Sequence, residues 1–132
     1  MINKLFIYGS LLQTDNEFGG YLKQNSKLYK QGKFKGKLYD IGEYPGAIFY
    51  PNGDYYVNGS IVQIDNPIET LKHIDNYEGF GDDQLQPNLF IRELLKIETK
   101  SGTEECWVYL YNYPTTQLRQ IASGDYLSYI KA

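Results

Sequence analysis

A short apolar block near the start of the chain predicts a buried strand that breaks into a turn. The block is Leu5-Phe6-Ile7-Tyr8, and Gly9-Ser10 follows it directly. An apolar run that stops at a glycine is typical of a buried strand leading into a loop. The next stretch, residues 13–27, is mostly polar, so we predict a loop there with at most a short helix near Tyr21 and Leu22.

Alternation of apolar and polar residues predicts the middle strands. The chain alternates from Leu28 to Ile41, which is the pattern of a half-exposed strand. The lysines at positions 33, 35 and 37 fall on one face, where they discourage pairing with other strands. The β-like runs 47–50 and 55–64 flank Asn52-Gly53, a strong turn signal, so we predict that these two runs form a hairpin.

The clearest helix signal starts at Asn66. This residue is a good N-cap, Pro67 suits the first helical position, and Glu69 stands three residues after the cap. Apolar residues then recur at helical spacing, at Ile68, Leu71 and Ile74. Gly79 can end the helix in a left-handed conformation, which places Glu78 at or just past the helix end.

Two strands and a short helix complete the predicted fold. Leu89 to Thr99 and Cys106 to Tyr113 predict strands, the second buried on both faces because it is almost entirely apolar or aromatic. Residues 118–122 predict at most a short helix, and 123–126 a turn before an amphipathic tail. The predicted class is α+β, with a small mixed, barrel-like β-sheet, one main helix and a short C-terminal helix. The length fits one domain spanning residues 1–132.

Charge and motif content exclude several classes of function. The chain has 13 Lys and Arg against 16 Asp and Glu, a net charge of −3, whereas a nucleic-acid-binding domain is expected to carry a basic excess. One His and one Cys cannot supply the ligands of a zinc site. The sequence also has no phosphate-binding glycine motif and no EF-hand spacing. We therefore expect no metal, no bound nucleotide and no nucleic-acid partner.

The single His and the single Cys are both predicted to be structural residues. His73 falls inside the predicted helix, which favours a surface position over membership of a Ser-His-Asp triad. Cys106 falls in the buried strand and is predicted to be a small core residue.

No window approaches 18 apolar residues, and Met1 to Leu5 lacks the basic start of a signal peptide. We expect no membrane span and a cytoplasmic setting, and the oligomeric state stays open.

Two short motifs could carry chemistry. Tyr8-Gly9-Ser10-Leu11 ends a strand, and backbone N–H groups there can hold a carboxylate or an oxyanion. Spacing alone, however, favours an ordinary strand end. In Tyr77-Glu78-Gly79-Phe80 aromatic residues flank a carboxylate, and apolar surroundings raise a carboxyl pKa toward neutral pH. The alternative is a solvated helix-end glutamate, although a negative charge there opposes the helix dipole.

Further segments follow in a fixed order. They are Gly36-Lys37-Leu38-Tyr39-Asp40, Tyr44-Pro45-Gly46, Trp107-Val108-Tyr109, and Ile121 to Tyr126. Together with the two motifs above, they resemble the γ-glutamylcyclotransferase-like superfamily, in its AIG2-like and γ-glutamylamine cyclotransferase branch. The resemblance covers nearly the whole chain. This chain departs from the family in having Ser10 for a frequent Thr, Tyr126 for a frequent Trp, and no basic stretch after Leu11.

The resemblance implies a cofactor-independent enzyme that closes a γ-glutamyl group into 5-oxoproline and releases the γ-linked amine or amino acid. It implies Glu78 as the proton-transfer residue. Backbone of Tyr8, Gly9, Ser10 and Leu11 would bind the α-carboxylate or the oxyanion. Tyr109 would form a pocket wall, although it fits a core aromatic equally well. Three alternatives stay open: a non-catalytic member that binds a small acid, a related lyase with a larger groove, and a β-rich interaction domain.

Overall fold

The computed structural model describes residues 1–9 and 17–131, with the backbone alone at residues 17 and 18. This part of the chain contains seven strands and three helices. In chain order they are β1 (Lys4–Ile7), α1 (Glu17–Gln24), β2 (Ser26–Asp40), β3 (Pro45–Phe49), β4 (Tyr56–Ile64), α2 (Pro67–Glu78), β5 (Phe90–Thr99), β6 (Gly102–Tyr111), β7 (Arg119–Gln120) and α3 (Tyr126–Lys131). Among these elements, no helix is long and apolar enough to cross a membrane.

Five strands close into a barrel-like sheet. The neighbours run β2, β4, β1, β6 and β5, and β5 pairs back with β2 where Lys33 faces Glu98. β1 and β6 are parallel, whereas the other pairs around the ring are antiparallel. The predicted α+β class with a mixed, barrel-like sheet is therefore confirmed. Closure leaves little free strand edge in the ring.

The long strand β2 decides how the middle of the chain is arranged. It pairs with β4 along Ser26 to Lys35 and with β3 along Gly36 to Asp40. β3 and β4 thus lie on either side of β2, and the hairpin predicted across Asn52-Gly53 is wrong. The chain does turn at these residues. Both strands pair with β2 instead, because a turn signal fixes where the chain reverses and not which strand it meets.

α2 starts and ends where the sequence predicts, but its N-terminus is held differently. Pro67 opens the helix, and Gly79 closes it in the left-handed region at φ 75°. Asn66 occupies the N-cap position at φ 43°, yet its side chain makes no capping hydrogen bond, so the predicted side-chain cap is wrong. The hydroxyl of Thr70 donates instead to the carbonyl oxygen of Asp65, which fixes the first turn to the preceding chain.

The C-terminal segment also differs from the sequence expectation. Residues 118–122, predicted to be at most a short helix, contain β7, which pairs with the end of β2. The N–H of Ile121 then donates to the carbonyl oxygen of Leu38 at 2.7 Å. These hydrogen bonds to a distant strand draw the segment into the sheet. A short C-terminal helix is present, but it is α3, in the segment that the sequence predicts as an amphipathic tail.

Two clusters of buried side chains form the core, and β1 contributes to both. Phe6 and Tyr8 belong to the first cluster, which also holds the buried Cys106, as predicted. Leu5 belongs to the second cluster, together with apolar residues of α1 and α2. The α1 helix itself confirms the short helix expected near residues 21 and 22. Because successive residues of a strand face opposite sides, β1 is packed on both faces, and its end is held rigidly.

Candidate active site

A cavity of about 400 Å³ opens where β1 ends. Its walls come from β1 and the two residues after it, the turn before β3 and the first residue of β3, the last turn of α2, the start of β5 and the last part of β6. Four residues singled out in the sequence line it: Tyr8, Gly9, Glu78 and Tyr109. Ser10 and Leu11, the other two, lie outside the described residues. A cavity around Glu78 is not expected of a plain interaction domain, which disfavours that alternative.

Glu78 is the last residue of α2 and is half-buried in the cavity wall. Burial raises the pKa of its carboxyl group from 4.5 to about 7, because desolvation disfavours the charged form. A group with this pKa accepts a proton in its charged form and donates one in its neutral form near neutral pH. The apolar surroundings expected from the neighbouring aromatic residues are therefore present in the structure.

Aromatic rings surround this carboxylate. The cavity is lined by Tyr8, Tyr44, Tyr77, Phe90 and Tyr109. Burial raises the pKa of Tyr8 and Tyr109 well above the ordinary value, and the nearby charge of Glu78 raises both further. The two phenols therefore stay protonated, and they share with Glu78 a site from which much of the water is excluded.

The hydroxyl of Tyr8 makes hydrogen bonds to the backbone of two other strands. It donates to the carbonyl oxygen of Tyr109 at 2.5 Å and accepts from the N–H of Ala47 at 3.3 Å. These bonds tie the end of β1 to β6 and β3. Tyr8 thus gives the cavity an aromatic wall, while its single hydrogen is already used within the protein.

A polar network behind the cavity wall is absent from the sequence prediction. Tyr109 Oη donates to Asp75 Oδ1 at 2.6 Å, and Arg92 donates to the same carboxylate from Nε at 2.7 Å and Nη2 at 3.1 Å. Asp75 stands three residues before Glu78 on α2, so helical spacing puts both on one face. That spacing is the signal that could have identified Asp75. No local sequence pattern identifies Arg92, because the packing of α2 against β5 determines that its partner is Asp75.

Gly9 lies against the turn on the other side of the cavity. A Cβ built on Gly9 would come within 3.2 Å of Pro45 Cγ. A side chain at this position would therefore require Pro45 to shift by a few tenths of an ångström. Tyr44 and Pro45, which belong to the Tyr-Pro-Gly segment of the sequence and lie immediately before and at the start of β3, thereby become a wall of the same cavity.

The C-terminal helix holds that turn in place. Tyr129 Oη donates to Asp40 Oδ2 at 2.7 Å, and the N–H of Gly42 donates to Asp40 Oδ1 at 2.8 Å. Tyr126 is buried, and its hydroxyl donates to the carbonyl oxygen of Glu43 at 3.3 Å. The motif at the C-terminus therefore acts on the cavity indirectly, by fixing the wall that carries Glu43.

Other reactive groups lie apart from this site. Across residues 1–9 and 17–131, no group of three or more His, Cys, Asp or Glu side chains could hold a metal ion. His73 is exposed on α2, as predicted, and its ring lies 4.7 Å from that of Tyr21. Burial raises the pKa of the Cys106 thiol to about 12, so it is not available as a thiolate. Among the residues considered, Glu78 is the best placed to move protons.

Comparison with known proteins identifies a family and related sequences. A family model described as gamma-glutamyl cyclotransferase, AIG2-like, matches residues 5–128. The gamma-glutamylcyclotransferase family protein YtfP of Escherichia coli strain K12 is 31% identical over 125 residues, which are 94% of this chain and 96% of that protein. A gamma-L-glutamyl-butirosin B gamma-glutamyl cyclotransferase of Niallia circulans is 32% identical over 109 residues, which are 82% of this chain. That match spans 66% of the Niallia protein, just under two thirds of its length.

Solved structures share the fold. The solution NMR structure of ytfP from Escherichia coli has a TM-score of 0.69 at 29% identity, covering 96% of this chain and 98% of that one. The crystal structure of an aig2-like protein from Mus musculus has a TM-score of 0.70 at 19% identity, covering 94% of this chain and 87% of that one. At such low identity the second likeness shows the fold alone.

Proposed function

This chain belongs to the gamma-glutamyl cyclotransferase, AIG2-like family, and from that membership and the cavity around Glu78 we propose that it is a γ-glutamylcyclotransferase-type enzyme. It would cyclise a γ-glutamyl group to 5-oxoproline and release the γ-linked amine or amino acid. The observation that carries the proposal is a half-buried carboxyl group with a pKa of about 7 in a cavity walled by aromatic rings.

The reaction is an intramolecular aminolysis that needs one group to move protons. Glu78, in its charged form, takes a proton from the α-ammonium of the substrate. The freed amine attacks the γ-carbonyl carbon, a five-membered ring closes, and the carbonyl oxygen becomes an oxyanion. As the oxyanion collapses, the bond to the γ-linked nitrogen breaks and Glu78 gives its proton to that nitrogen. The ring nitrogen still holds two protons after the attack and gives one of them to water, which leaves 5-oxoproline and the free amine. General acid–base help of this kind contributes about 10²–10⁴-fold.

The walls of the cavity would orient the substrate for ring closure. A cavity of about 400 Å³ lies within the range of about 300–1,000 Å³ that is typical of small-molecule sites. It can hold the glutamyl chain in the curled form that brings amine and carbonyl together, which removes much of the entropy cost of ring closure. Because the hydroxyl hydrogens of Tyr8 and Tyr109 are already donated within the protein, the backbone at Tyr8 and Gly9 is the better candidate to bind the α-carboxylate or the oxyanion.

The charges of the cavity wall favour a neutral or cationic leaving group. Among the described residues that line the cavity, the charged side chains are Glu43 and Glu78, and both are acidic. The sequence of residues 10–16 adds no basic residue. A leaving amino acid would bring its own carboxylate close to these like charges, which costs free energy. We therefore rank γ-glutamylamines above γ-glutamyl amino acids as substrates.

The test is release of 5-oxoproline from a panel of γ-glutamylamines and γ-glutamyl amino acids. We expect turnover to be faster with the amines, and kcat/KM to rise as the pH passes through about 7, since only the charged carboxylate accepts a proton. Glu78→Gln should lower turnover by about 10²–10⁴-fold while the fold and 5-oxoproline binding persist. Glu43→Gln is the matched variant. It should retain turnover, and the ratio of kcat/KM for γ-glutamylamines to kcat/KM for γ-glutamyl amino acids should become smaller.

The outcomes separate this proposal from its alternatives. Near-normal 5-oxoproline release by Glu78→Gln would refute the role of Glu78. Binding of 5-oxoproline without turnover of any substrate in the panel would favour the non-catalytic member that binds a small acid. Turnover of large γ-glutamyl conjugates alone would favour the related lyase.

A further inference from the structure

The last turn of α2 carries two carboxylates and no basic residue. Asp75 and Glu78 both lie in it, although the partial negative charge of a helix C-terminus is best balanced by a cation. The cation comes from another element: Arg92 of β5 reaches across to Asp75 with two hydrogen bonds, at 2.7 and 3.1 Å. The side chains of Arg92 and Asp75 are only 15% and 17% exposed, so this pair is well shielded from solvent.

Asp75 is also tied to the backbone that bears Glu78. Its carbonyl oxygen accepts the N–H of Gly79, the residue after Glu78, and the N–H of Phe80 at 2.9 Å. The main chain on the C-terminal side of Glu78 is therefore fixed to Asp75. Any movement of Asp75 would be passed directly to the turn that aims the Glu78 carboxylate into the cavity.

The side chain of Asp75 is in turn fixed to the barrel. Arg92 and Tyr109, which both donate to its carboxylate, face each other across β5 and β6. The guanidinium carbon of Arg92 lies 4.4 Å from the centre of the Trp107 ring and 5.6 Å from that of Phe80. Phe80 stands two residues after Glu78, so Arg92 contacts the same turn from a second side.

We propose that Asp75 and Arg92 form a positioning pair, which anchors the last turn of α2 to the barrel and so holds the Glu78 carboxylate at the cavity. The pair does not touch the cavity, because neither residue lines it. Its role in turnover rests on the proposed function, whereas its role in placing Glu78 does not. Arg is suited to this task because its planar fork fixes both the distance and the direction of the carboxylate it binds.

Arg92→Gln is the deciding variant, because in it loss of position and loss of charge act in opposite directions on the pKa of Glu78. Arg92→Gln removes a positive charge, which by charge alone would raise the pKa of Glu78. Asp75→Asn removes a negative charge, which by charge alone would lower it. Loss of position lets water reach Glu78 in both variants, so both should lower its pKa from about 7 toward 4.5. Arg92→Lys keeps the charge without the fork and should shift the pKa in the same direction as Arg92→Gln.

The pKa of Glu78 is measured by carbon-13 NMR titration of its carboxyl group in the ligand-free protein. Glu43 and the tyrosines at positions 8, 44, 77 and 109 line the same cavity, and they stay unchanged in every variant. Glu104→Gln is the matched control, because it breaks the ion pair of Lys4 and Glu104, whose side chains are 25% and 18% exposed, away from the cavity. It should leave the pKa of Glu78 where it is.

Kinetics provide the second measurement. A misplacement of about 1 Å in a catalytic group can cost about 10²-fold in rate, so we expect Arg92→Gln and Arg92→Lys to lower kcat by about that factor with little change in KM. A pKa of Glu78 that rises or stays constant in Arg92→Gln would overturn the proposal, as would wild-type kcat in that variant. If Arg92→Gln does not fold, Arg92→Lys decides by the same criteria, because it keeps the charge and changes only the position. If the wild-type protein turns over no substrate, the proposed function fails and the titrations still decide this inference.

Discussion

Burial of Glu78 should make the stability of the protein fall as the pH rises. The unfolded chain loses the Glu78 proton near pH 4.5, whereas the folded protein keeps it until about pH 7. Between these values the native state binds one more proton than the unfolded state. The contribution of this group to folding is therefore fully present below pH 4.5 and is lost as the pH rises through about 7.

The size of this effect follows from the two pKa values. A difference of one pKa unit corresponds to about 1.4 kcal/mol, so the shift from 4.5 to about 7 costs the folded protein about 3 kcal/mol above pH 8. Glu78→Gln replaces the carboxyl group with a neutral group of similar size. Relative to the wild-type protein, this variant should gain stability at about 1.4 kcal/mol per pH unit between pH 4.5 and 7, with a plateau above.

The assay is urea unfolding from pH 4 to 8.5, followed by fluorescence of Trp107, the single tryptophan. The free energy of unfolding of each protein comes from linear extrapolation, and the difference between variant and wild type isolates Glu78 from the other titrating groups. Glu93→Gln, at an exposed position of β5, controls for the loss of a charge. A difference between Glu78→Gln and wild type that stays constant within about 0.5 kcal/mol over this range would refute the reasoning, because Glu78 would then be solvated.

Two further substitutions test the scaffold around the cavity. Tyr8→Phe removes the hydroxyl that pairs with two buried backbone groups. We expect it to lower the free energy of unfolding by about 1–3 kcal/mol, measured by urea unfolding. Unchanged stability would show that these hydrogen bonds contribute little to folding. Gly124→Ala places a Cβ 1.7 Å from the carbonyl oxygen of Tyr56, at a residue with φ +68°. We expect the free energy of unfolding to fall by about 2 kcal/mol or more, which thermal unfolding would show as a lower melting temperature. A wild-type melting temperature would contradict this backbone geometry.

Local signals in the sequence were sufficient for the elements that carry the site. The apolar block that stops at Gly9 and the helix that stops at Gly79 both depend on interactions within a few residues, and both match β1 and α2. The aromatic residues beside Glu78 favour a raised pKa, and burial raises it in the structure, although the sequence alone leaves a solvated glutamate open. Ser10 and Leu11 stay predictions, since they lie outside the described residues.

Pairing between distant segments could not be read from these signals. The Asn52-Gly53 turn does form, but β3 and β4 pair with β2, whose 15 residues offer an edge on each side. The pair of Asp75 and Arg92 depends on how α2 packs against the barrel. Apolar periodicity reports which face of an element is buried and does not report which polar groups meet across two elements.

The walls of the cavity explain why weak motifs spread over the whole chain can describe one site. Glu78 is the group proposed to exchange protons, yet its pKa depends on exclusion of water by surfaces from four other segments. The turn that carries Glu43 joins the paired strands β2 and β3. Tyr126 and Tyr129 of α3 hold it further, because their hydroxyls donate to the carbonyl oxygen of Glu43 and to Asp40. Movement of that turn would open the cavity, hydrate Glu78 and lower its pKa. The C-terminal motif therefore supports the burial of Glu78 indirectly, through the turn that carries Glu43.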